Sequence, residues 1–354
     1  MRHTLRVLAL VGAVALAAGC TATADDDATT TPEQDTESVA APADDIVISY
    51  NSPTEWANWG AVLEAFTDAT GVEAPSDPKN SGQSIAALEA EAAAPAADTV
   101  YYGIVFGYQA QEKGLVQGYR PAGFDDIPDA LKDPEGEWFA VHQGAIAFLV
   151  NTDELGDLPV PTTWSDLTDP MYAGMVGYLD PTQAAVGYSV LTAANLALGG
   201  TLDDFGPGLA WAQEMKDNGV VNPVQTATAS VQQGEIPILI DADFNGHKLT
   251  AAGDPVEVVY PEDGSLAIPY TMSLVAGAPH EAGGKALLDY VLSDEAQMLF
   301  AQSFLKPIRD VEIDPEIAAV FPDDYDELVA TPDFQRMQQV QEDVVGQYQA
   351  EILG

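Results

Sequence analysis

Short apolar runs in this chain alternate with longer segments in which apolar residues recur at helical spacing. Buried strands are predicted at 46–50, 99–106, 138–150, 175–179, 236–240 and 270–276. Amphipathic helices are predicted from 52 to 71, from 81 onward, and at 184–198, 208–218, 281–292 and 294–303. Strands that alternate with helices in this way predict an α/β fold.

Two of the helix starts carry capping signals of their own. Ser52 is expected to cap the first helix, with Pro53 at its first position and Glu55 completing a capping box. Gly71 is expected to end that helix because glycine adopts the left-handed conformation at no steric cost. A second capped start is predicted at 81–84, ahead of a run of alanines and glutamates.

Residues 1–19 have the pattern of a secretion signal. Arg2 and Arg6 precede an apolar run at 8–18, which is far shorter than the roughly 20 residues that span a bilayer. Cys20 follows small residues and is the only cysteine of the chain, which favours acylation of a lipoprotein and excludes an intrachain disulfide. Cleavage by an ordinary signal peptidase stays open, because Ala17 stands where lipoproteins usually carry leucine.

Residues 20–44 are predicted to form a flexible, lipidated tether. They are mostly Thr, Ala, Asp, Glu and Pro, with a single valine and no aromatic residue, so they cannot bury enough apolar surface to fold. From Asp45 onward, aromatic residues appear and apolar β-branched residues become frequent. The rest of the chain is long enough for two lobes.

The charge balance is strongly acidic, with 56 Asp and Glu against 12 Lys and Arg. Such a field repels phosphate backbones and anionic lipid surfaces, which argues against nucleic acid as a partner. The acids are spread along the whole chain. This favours a solubilising role in a saline or acidic habitat over one local site for cations.

Catalytic signatures are missing from the sequence. It contains no GxSxG, HExxH, P-loop or CxxC motif. Of the histidines beyond the signal, His142 lies in a strand-like run and is expected in the core or hinge, and neither His247 nor His280 has a partner nearby in sequence. The sequence therefore favours a binding protein over an enzyme and predicts no cofactor and no metal.

Polar clusters occupy three loops that leave strands or enter helices. These loops are Asn51-Ser52, Gly82-Gln83-Ser84 and Asp180-Pro181-Thr182-Gln183. In open α/β sheets, ligands bind beyond the carboxyl ends of the strands, where helix N-termini present free N–H groups. Each cluster alone could be a plain helix cap. Together they predict a site for a small solute.

The stretch 161–174, PTTWSDLTDPMYAG, resembles a motif of the extracellular solute-binding proteins of ABC importers. The resemblance is to the branch that includes ferric-ion, phosphonate, sugar-phosphate and polyamine binders. Asp180-Pro181 follows the motif, and Asn151-Thr152, Gly234-Glu235 and 293–297 resemble further family positions. These matches occur in family order across 46–309. From the residues alone, Trp164 and Tyr172 are expected to pack, and Asp169-Pro170 to form a turn.

This resemblance implies a type II periplasmic-binding fold, in which two α/β lobes joined by two crossing strands enclose a ligand cleft. Lobe 1 is expected at 45–147 and 262–354, and lobe 2 at 148–261. Closure would be a hinge motion, and the membrane permease would recognise the closed form. The implied partners are a small solute, the permease subunits and, through the lipid anchor, the outer face of the cell membrane. A monomer is expected.

The resemblance also maps ligand contacts onto polar residues of both lobes. Lobe 1 is expected to contribute Asn51, Ser52, Gln83, Ser84 and one of Tyr101 and Tyr102; lobe 2 is expected to contribute Asp180, Thr182, Asp241, Asp243 and Asn245. Ferric-binding members carry adjacent tyrosines where this chain has Asp243-Phe244-Asn245. Ferric iron is therefore not the favoured ligand.

These side chains suit a small polar organic solute. Hydroxyl and amide groups donate to an anionic or hydroxyl-rich head, and Asp243 could pair with an amine. A phosphonate, a phosphorylated metabolite or a polyol is expected. The alternatives are a polyamine whose ammonium groups face the acids beside Trp56 or Tyr102, and a metal ion held by Asp241 and Asp243. A surface adhesion or scaffold lipoprotein is the alternative from another class.

Overall fold

The computed structural model describes residues 44–223 and 227–354. The predicted signal, Cys20 and all of the predicted tether except Asp44 lie outside these residues. Within the two described ranges, no helix combines the length and apolar character that crossing a membrane requires.

The strands form one mixed sheet with helices on its faces. The strands are β1 (Ser49–Tyr50), β2 (Ser76–Asp77), β3 (Thr99–Gly103), β4 (Val116–Gln117), β5 (Phe139–Asn151), β6 (Val176–Tyr178), β7 (Ile238–Ala242), β8 (Val256–Val259), β9 (Ser265–Val275), β10 (Lys306–Pro307) and β11 (Val329–Ala330). The main order is β2-β1-β3-β9-β5-β7-β6. The mixture of strands and helices confirms the predicted α/β class.

The helices follow the predicted alternation. They are α1 (Trp59–Thr70), α2 (Ser81–Glu91), α3 (Ile104–Glu112), α4 (Thr152–Leu155), α5 (Ala185–Ala197), α6 (Gly206–Asp217), α7 (Ala227–Gln232), α8 (Asp243–Ala252), α9 (Glu281–Val291), α10 (Asp294–Ala301), α11 (Pro315–Ala318), α12 (Tyr325–Leu328) and α13 (Phe334–Tyr348). A π-helical turn, Gln349–Leu353, continues α13.

Strand β5 connects the two halves of the sheet. Its first part, up to Ala145, pairs antiparallel with β9. From Ile146 onward the same strand pairs antiparallel with β7 and β8. The partner change between Ala145 and Ile146 therefore marks the place where the chain crosses from one half of the sheet to the other.

The first predicted helix start is wrong. Ser52 is buried, and its hydroxyl lies 3.4 Å from that of Ser76. The helix begins only at Trp59, because Ala57 and Asn58 take positive φ angles of 52° and 61°. A right-handed helix cannot pass through that conformation. The predicted end at Gly71 is confirmed, with a φ of 76°.

Two strand boundaries also differ from the sequence prediction. The apolar run at 99–106 leaves the sheet at Gly103, which is the N-cap of α3, so its last three residues are helical. Strand β9 begins at Ser265, five residues before the predicted start at Tyr270. Neither boundary coincides with a change in apolar character. Residues 104–106 are as apolar as the strand before them, and 266–268 are as apolar as the predicted strand after them.

The 161–174 stretch has the packing role that its residues predict. The indole N–H of Trp164 donates to the Gly264 carbonyl at 2.8 Å, and the side chain is fully buried. Asp169 caps a short 3₁₀ turn that begins at Pro170. The Tyr172 hydroxyl donates to the carbonyl of Pro159, just before the stretch, at 2.6 Å. The motif thus serves as a packed, hydrogen-bonded support.

Helix α13 contacts elements from both predicted lobes. It packs on α3, which lies in predicted lobe 1. The hydroxyl of Tyr348 lies 3.0 Å from that of Tyr178, and the hydroxyl of Tyr188 donates to the Met337 carbonyl at 2.7 Å, so the helix also contacts β6 and α5. The assignment of the C-terminal segment to lobe 1, and the lobe boundaries as a whole, stay predictions.

Candidate functional site

Helices α3 and α5 come from the two predicted lobes and begin beside each other. A Cβ atom placed on Gly103, the N-cap of α3, would lie 3.7 Å from the Cβ of Ala185, the first residue of α5. Neither helix has a side chain capping its N-terminus. Uncapped first-turn N–H groups and the positive ends of two helix dipoles thus meet in one place.

The 180–184 turn packs closely against the first turn of α5 and positions it. A Cβ on Gly187 would lie 2.2 Å from the Leu179 carbonyl oxygen, so only glycine permits this approach. One carboxylate oxygen of Asp180 accepts from the Thr182 N–H at 2.8 Å, and the Asp180 carbonyl accepts from the N–H of Ala184. Asp180 thus shapes the turn, while Thr182 stays partly exposed beside the helix start.

Asn51 and Ser52 hold the loop after β1 to the sheet. The Asn51 side chain donates to the Tyr101 carbonyl at 2.8 Å, and its φ of 62° turns the chain sharply. Both residues are buried. They place the loop near the candidate site, but the Asn51 side-chain amide and the Ser52 hydroxyl contact mainly other groups of the protein itself.

The second capped start is confirmed, with Asn80 as the N-cap. The Asn80 side chain accepts from the Gln83 N–H at 2.8 Å, and the Gln83 side chain accepts from the Asn80 N–H at 3.0 Å. Ser84 is buried and donates to the Asn80 carbonyl. Ser81 accepts from the Gly103 N–H at 3.3 Å, which links the starts of α2 and α3. Ser81 therefore lies nearer to the paired helix starts than the sequence indicated.

The two candidate tyrosines of β3 point to opposite faces of the sheet, as strand geometry requires. The Tyr102 hydroxyl is hydrogen-bonded to that of Ser273 at 2.6 Å, inside a separate apolar cluster. The Tyr101 hydroxyl is bonded to the indole N–H of Trp56 at 3.2 Å and to Nε2 of His142 at 3.0 Å. Of the pair, only Tyr101 lies on the face of the sheet that carries Trp56 and His142.

An aromatic cluster of Trp56, Tyr101, His142, Phe244 and Tyr270 connects the loop after β1 with α8 and both long strands. The Trp56 ring lies 5.1 Å from that of Phe244, and Tyr101 stacks on Tyr270 at 5.3 Å. Burial lowers the pKa of His142 to about 3, so its imidazole is neutral. In the sequence, nothing distinguishes Tyr270 beyond its place in an apolar strand.

Asp241 and Asn245 are brought together at the start of α8. Asp241 is 4 % exposed, and one of its oxygens accepts from the Asn245 side-chain amide at 3.3 Å. The other accepts from the N–H of Ala242 at 2.8 Å. Burial raises the pKa of Asp241 to about 6. The 3.3 Å contact with Asn245 is longer and therefore weaker than the contact with Ala242. The carboxylate oxygen that contacts Asn245 is thus the more available of the two to a ligand.

Asp243 binds the crossing strand. One carboxylate oxygen accepts from the N–H groups of Ala145 at 2.9 Å and Phe244 at 2.8 Å, and the other accepts from the Tyr260 hydroxyl at 3.0 Å. The side chain is fully buried, and burial raises its pKa to about 7. These contacts tie α8 to β5 where β5 changes partner, so both oxygens already serve the protein's own donors.

Basic side chains in the described part of the chain are mostly engaged elsewhere. Of its Lys and Arg residues, all but Lys216 and Lys248 form ion pairs with carboxylates; Lys216 donates to the Ile352 carbonyl, and Lys248 lies 3.4 Å from the Glu55 carbonyl. Across the described ranges, no group of three His, Cys, Asp or Glu side chains could hold a metal ion. Positive potential at the site comes mainly from the helix starts.

Two sequence relatives match most of the chain. A Salmonella typhimurium protein named for periplasmic binding of 2-aminoethylphosphonate is 28 % identical over 256 residues, which cover 70 % of this chain and 73 % of the relative. The spermidine/putrescine-binding periplasmic protein of Escherichia coli is 23 % identical over 313 residues, which cover 80 % and 86 % of the two chains.

Among solved structures, the periplasmic binding protein AfuA from Actinobacillus pleuropneumoniae, with fructose 6-phosphate bound, has the same fold. Its TM-score is 0.76 at 23 % identity, and the match covers 87 % of this chain and 98 % of AfuA. This likeness confirms the type II periplasmic-binding fold that the sequence resemblance implied. The family model described as "Bacterial extracellular solute-binding protein" matches residues 94–337, which is more than half of the chain. This chain therefore belongs to the family of bacterial extracellular solute-binding proteins.

Proposed function

We propose that the protein captures a small organic solute with a phosphonate or phosphate head group and delivers it to the permease of an ABC importer. The observation that carries this proposal is the meeting of the uncapped starts of α3 and α5 at Gly103 and Ala185. Free backbone N–H groups at helix N-termini are established binding partners for phosphate-like anions. Ser81, which accepts from the N–H of the α3 N-cap Gly103, and Thr182, in the turn before α5, add hydroxyl groups nearby.

The other end of the solute would face α8. Asp241 and Asn245 present a carboxylate and an amide there, which suits an ammonium or hydroxyl group. A short molecule with an anionic head and an amino group would use both ends. This agrees with the ligand in the name of the Salmonella relative. AfuA, whose structure holds fructose 6-phosphate, supports a phosphorylated head in the same fold.

We further propose that the protein is a monomer held at the outer face of the cell membrane by a lipid on Cys20. The support is the sequence of the secretion signal and the single cysteine that follows it. A monomeric domain on a flexible tether could reach a permease in the same membrane. Binding without turnover is part of this proposal, because the family consists of solute-binding proteins.

Thermal unfolding of the domain from Asp45 onward tests the proposal. The probes are inorganic phosphate, methylphosphonate, 2-aminoethylphosphonate, fructose 6-phosphate, putrescine and Fe(III). At about 100 times its dissociation constant, a bound ligand stabilises the fold by about 2.7 kcal/mol, and the midpoint rises accordingly. We expect a rise with at least one phosphonate or phosphate probe. A rise only with putrescine would establish the polyamine alternative, and no rise at all would favour the adhesion or scaffold alternative.

Replacing Ala185 by aspartate should strongly weaken the binding of anionic probes while leaving the fold intact. A negative charge in the first turn of α5 would repel the anionic head, although aspartate favours the helix itself by about 0.3 to 1 kcal/mol. We expect at least a tenfold rise in the dissociation constant by calorimetry, with an unchanged or higher unfolding midpoint. Gln335→Asp places the same charge in the first turn of α13, outside the proposed site, and is the matched control. Equal effects of the two variants would exclude a local site at Ala185.

A further inference from the structure

Tyr270 occupies a central place beside the proposed site. It lies in β9 directly opposite Gly103 of β3 and His142 of β5. Directly opposite residues of antiparallel strands project to the same face of the sheet. Gly103 has no side chain, and the space on its Cβ side leads to Ala185 of α5. The ring of Tyr270 therefore lies on the face where the starts of α3 and α5 meet.

The Tyr270 hydroxyl has no hydrogen-bond partner among the described residues, although the residue is only 7 % exposed. By contrast, the neighbouring hydroxyls of Tyr101 and Tyr102 are both hydrogen-bonded. Its oxygen is not one of the fully enclosed, unpaired side-chain atoms of the described residues, so it faces space that solvent or a ligand can reach. A hydroxyl without a partner at this place can donate to a ligand that supplies the acceptor.

The surroundings of Tyr270 keep it protonated and fixed in position. Burial raises the pKa of its hydroxyl, and the charges of Asp241 and Asp243 raise it further, so the group donates and does not ionise. Its ring stacks on Tyr101 at 5.3 Å, and the Trp56 ring lies 6.0 Å away at a steep angle. A donor held by packing loses little conformational entropy when a ligand binds.

We propose that Tyr270 is a specificity-determining residue that donates its hydroxyl hydrogen to an oxygen of the solute's anionic head group. This inference rests on the proposed function and adds a side-chain donor to the backbone N–H groups of α3 and α5. The hydroxyl selects for solutes with an acceptor oxygen at this place. A diamine such as putrescine has no such oxygen and gains nothing from it.

The test compares Tyr270→Phe with Tyr102→Phe, using calorimetric titration of the folded domain with methylphosphonate and 2-aminoethylphosphonate. Tyr270→Phe removes only the donor and keeps the ring on Tyr101. A hydrogen bond to a charged group contributes enough that both dissociation constants should rise by about 10- to 150-fold. Tyr102→Phe removes a hydroxyl from the opposite face of the sheet and should leave both constants within about twofold. The unfolding midpoint of each ligand-free variant is recorded alongside.

Three further outcomes of the same experiment distinguish the role of Tyr270 from the proposed function. If the wild-type domain binds the phosphonates and Tyr270→Phe binds them equally well, the role of Tyr270 is excluded while the proposed function stands. Equal losses in both variants would likewise overturn the role, since the effect would then be general. If the wild type binds no anionic probe, the proposed function fails and the role of Tyr270 fails with it.

Discussion

Replacing Asp243 by alanine is expected to lower the free energy of unfolding by about 3 to 5 kcal/mol at about pH 5. The substitution removes the acceptor for the N–H groups of Ala145 and Phe244 and for the Tyr260 hydroxyl. Each buried donor left without a partner costs about 1 to 3 kcal/mol. The loss falls at the point where β5 changes partner, so the whole sheet is affected. Denaturant unfolding at fixed pH measures it.

Asp243→Asn is the matched control. The asparagine oxygen can still accept from the N–H groups of Ala145 and Phe244, and its NH₂ can donate to the Tyr260 oxygen. The Tyr260 hydroxyl, which lies 3.0 Å from Nε2 of His247, can then donate to that nitrogen. Burial lowers the pKa of His247 to about 4, so the nitrogen is free to accept near neutral pH. We therefore expect the asparagine variant to lose much less stability than the alanine variant at about pH 5.

The stabilities of the wild type and of the Asp243→Asn variant should also depend differently on pH. The pKa of Asp243 is about 7 in the folded protein, against about 3.9 in the unfolded chain. An acid with a raised folded pKa contributes its full stability below the unfolded pKa, and this contribution is lost as the pH rises through the folded pKa. The stability of the wild type relative to Asp243→Asn should therefore fall by up to about 4 kcal/mol between about pH 4 and 7. A flat difference over this range would show that the folded pKa of Asp243 is not raised. An alanine variant as stable as wild type would show that Asp243 does not hold the crossing.

Raising the salt concentration is expected to stabilise the fold by several kcal/mol. The whole chain has a formal net charge of −44, and two like charges 10 Å apart repel each other by about 0.4 kcal/mol in water. Of the Lys and Arg residues in the described ranges, most already pair with carboxylates, so the remaining acids are largely uncompensated. Between about 0.01 and 1 M salt, the screening length falls from about 30 to 3 Å. The unfolding midpoint should rise by roughly 5 to 15 °C.

Sodium chloride and potassium chloride should act alike, because screening depends on ionic strength and not on the cation. Sulfate strengthens apolar burial as well, so sodium sulfate at equal ionic strength separates the two effects. Sorbitol, which is uncharged, is the control for preferential exclusion. A midpoint that responds to sulfate but not to chloride would show that self-repulsion of the acids does not limit stability. A response to one chloride salt alone would point to specific cation binding instead.

The class of fold and the family could be read from the sequence because both depend on local patterns. Apolar periodicity predicted the alternation of strands and helices, including the long strand β5, and the backbone freedom of glycine predicted the helix end at Gly71. The 161–174 stretch identified the family because its turn and packing residues are contiguous in sequence, and the family match confirms it. The start of α2 at Ser81 was predicted from its local polar residues, although the capping box of Asn80 and Gln83 was not.

What each polar side chain does was decided by tertiary contacts. Asp241 and Asp243 are both aspartates and lie two positions apart. Only Asp243 accepts a hydrogen bond from the N–H of Ala145, which lies 98 residues earlier in the chain. Ser52 has the sequence of a helix cap, but backbone turns at Ala57 and Asn58 delay the helix until Trp59. Tyr270 and Tyr101 meet only because β9 pairs with both β3 and β5.

The sequence by itself determined that this chain is an acidic α/β protein of a solute-binding family, since charge, periodicity and short motifs are properties of neighbouring residues. Only the tertiary structure decided that the starts of α3 and α5 meet, that Asp243 holds the crossing strand, and that the Tyr270 hydroxyl has no partner among the residues that the structure describes. The physical reason is that hydrogen bonds and helix-end potentials act over a few ångströms in space. The residues that they join here are separated by tens of positions to well over a hundred along the chain.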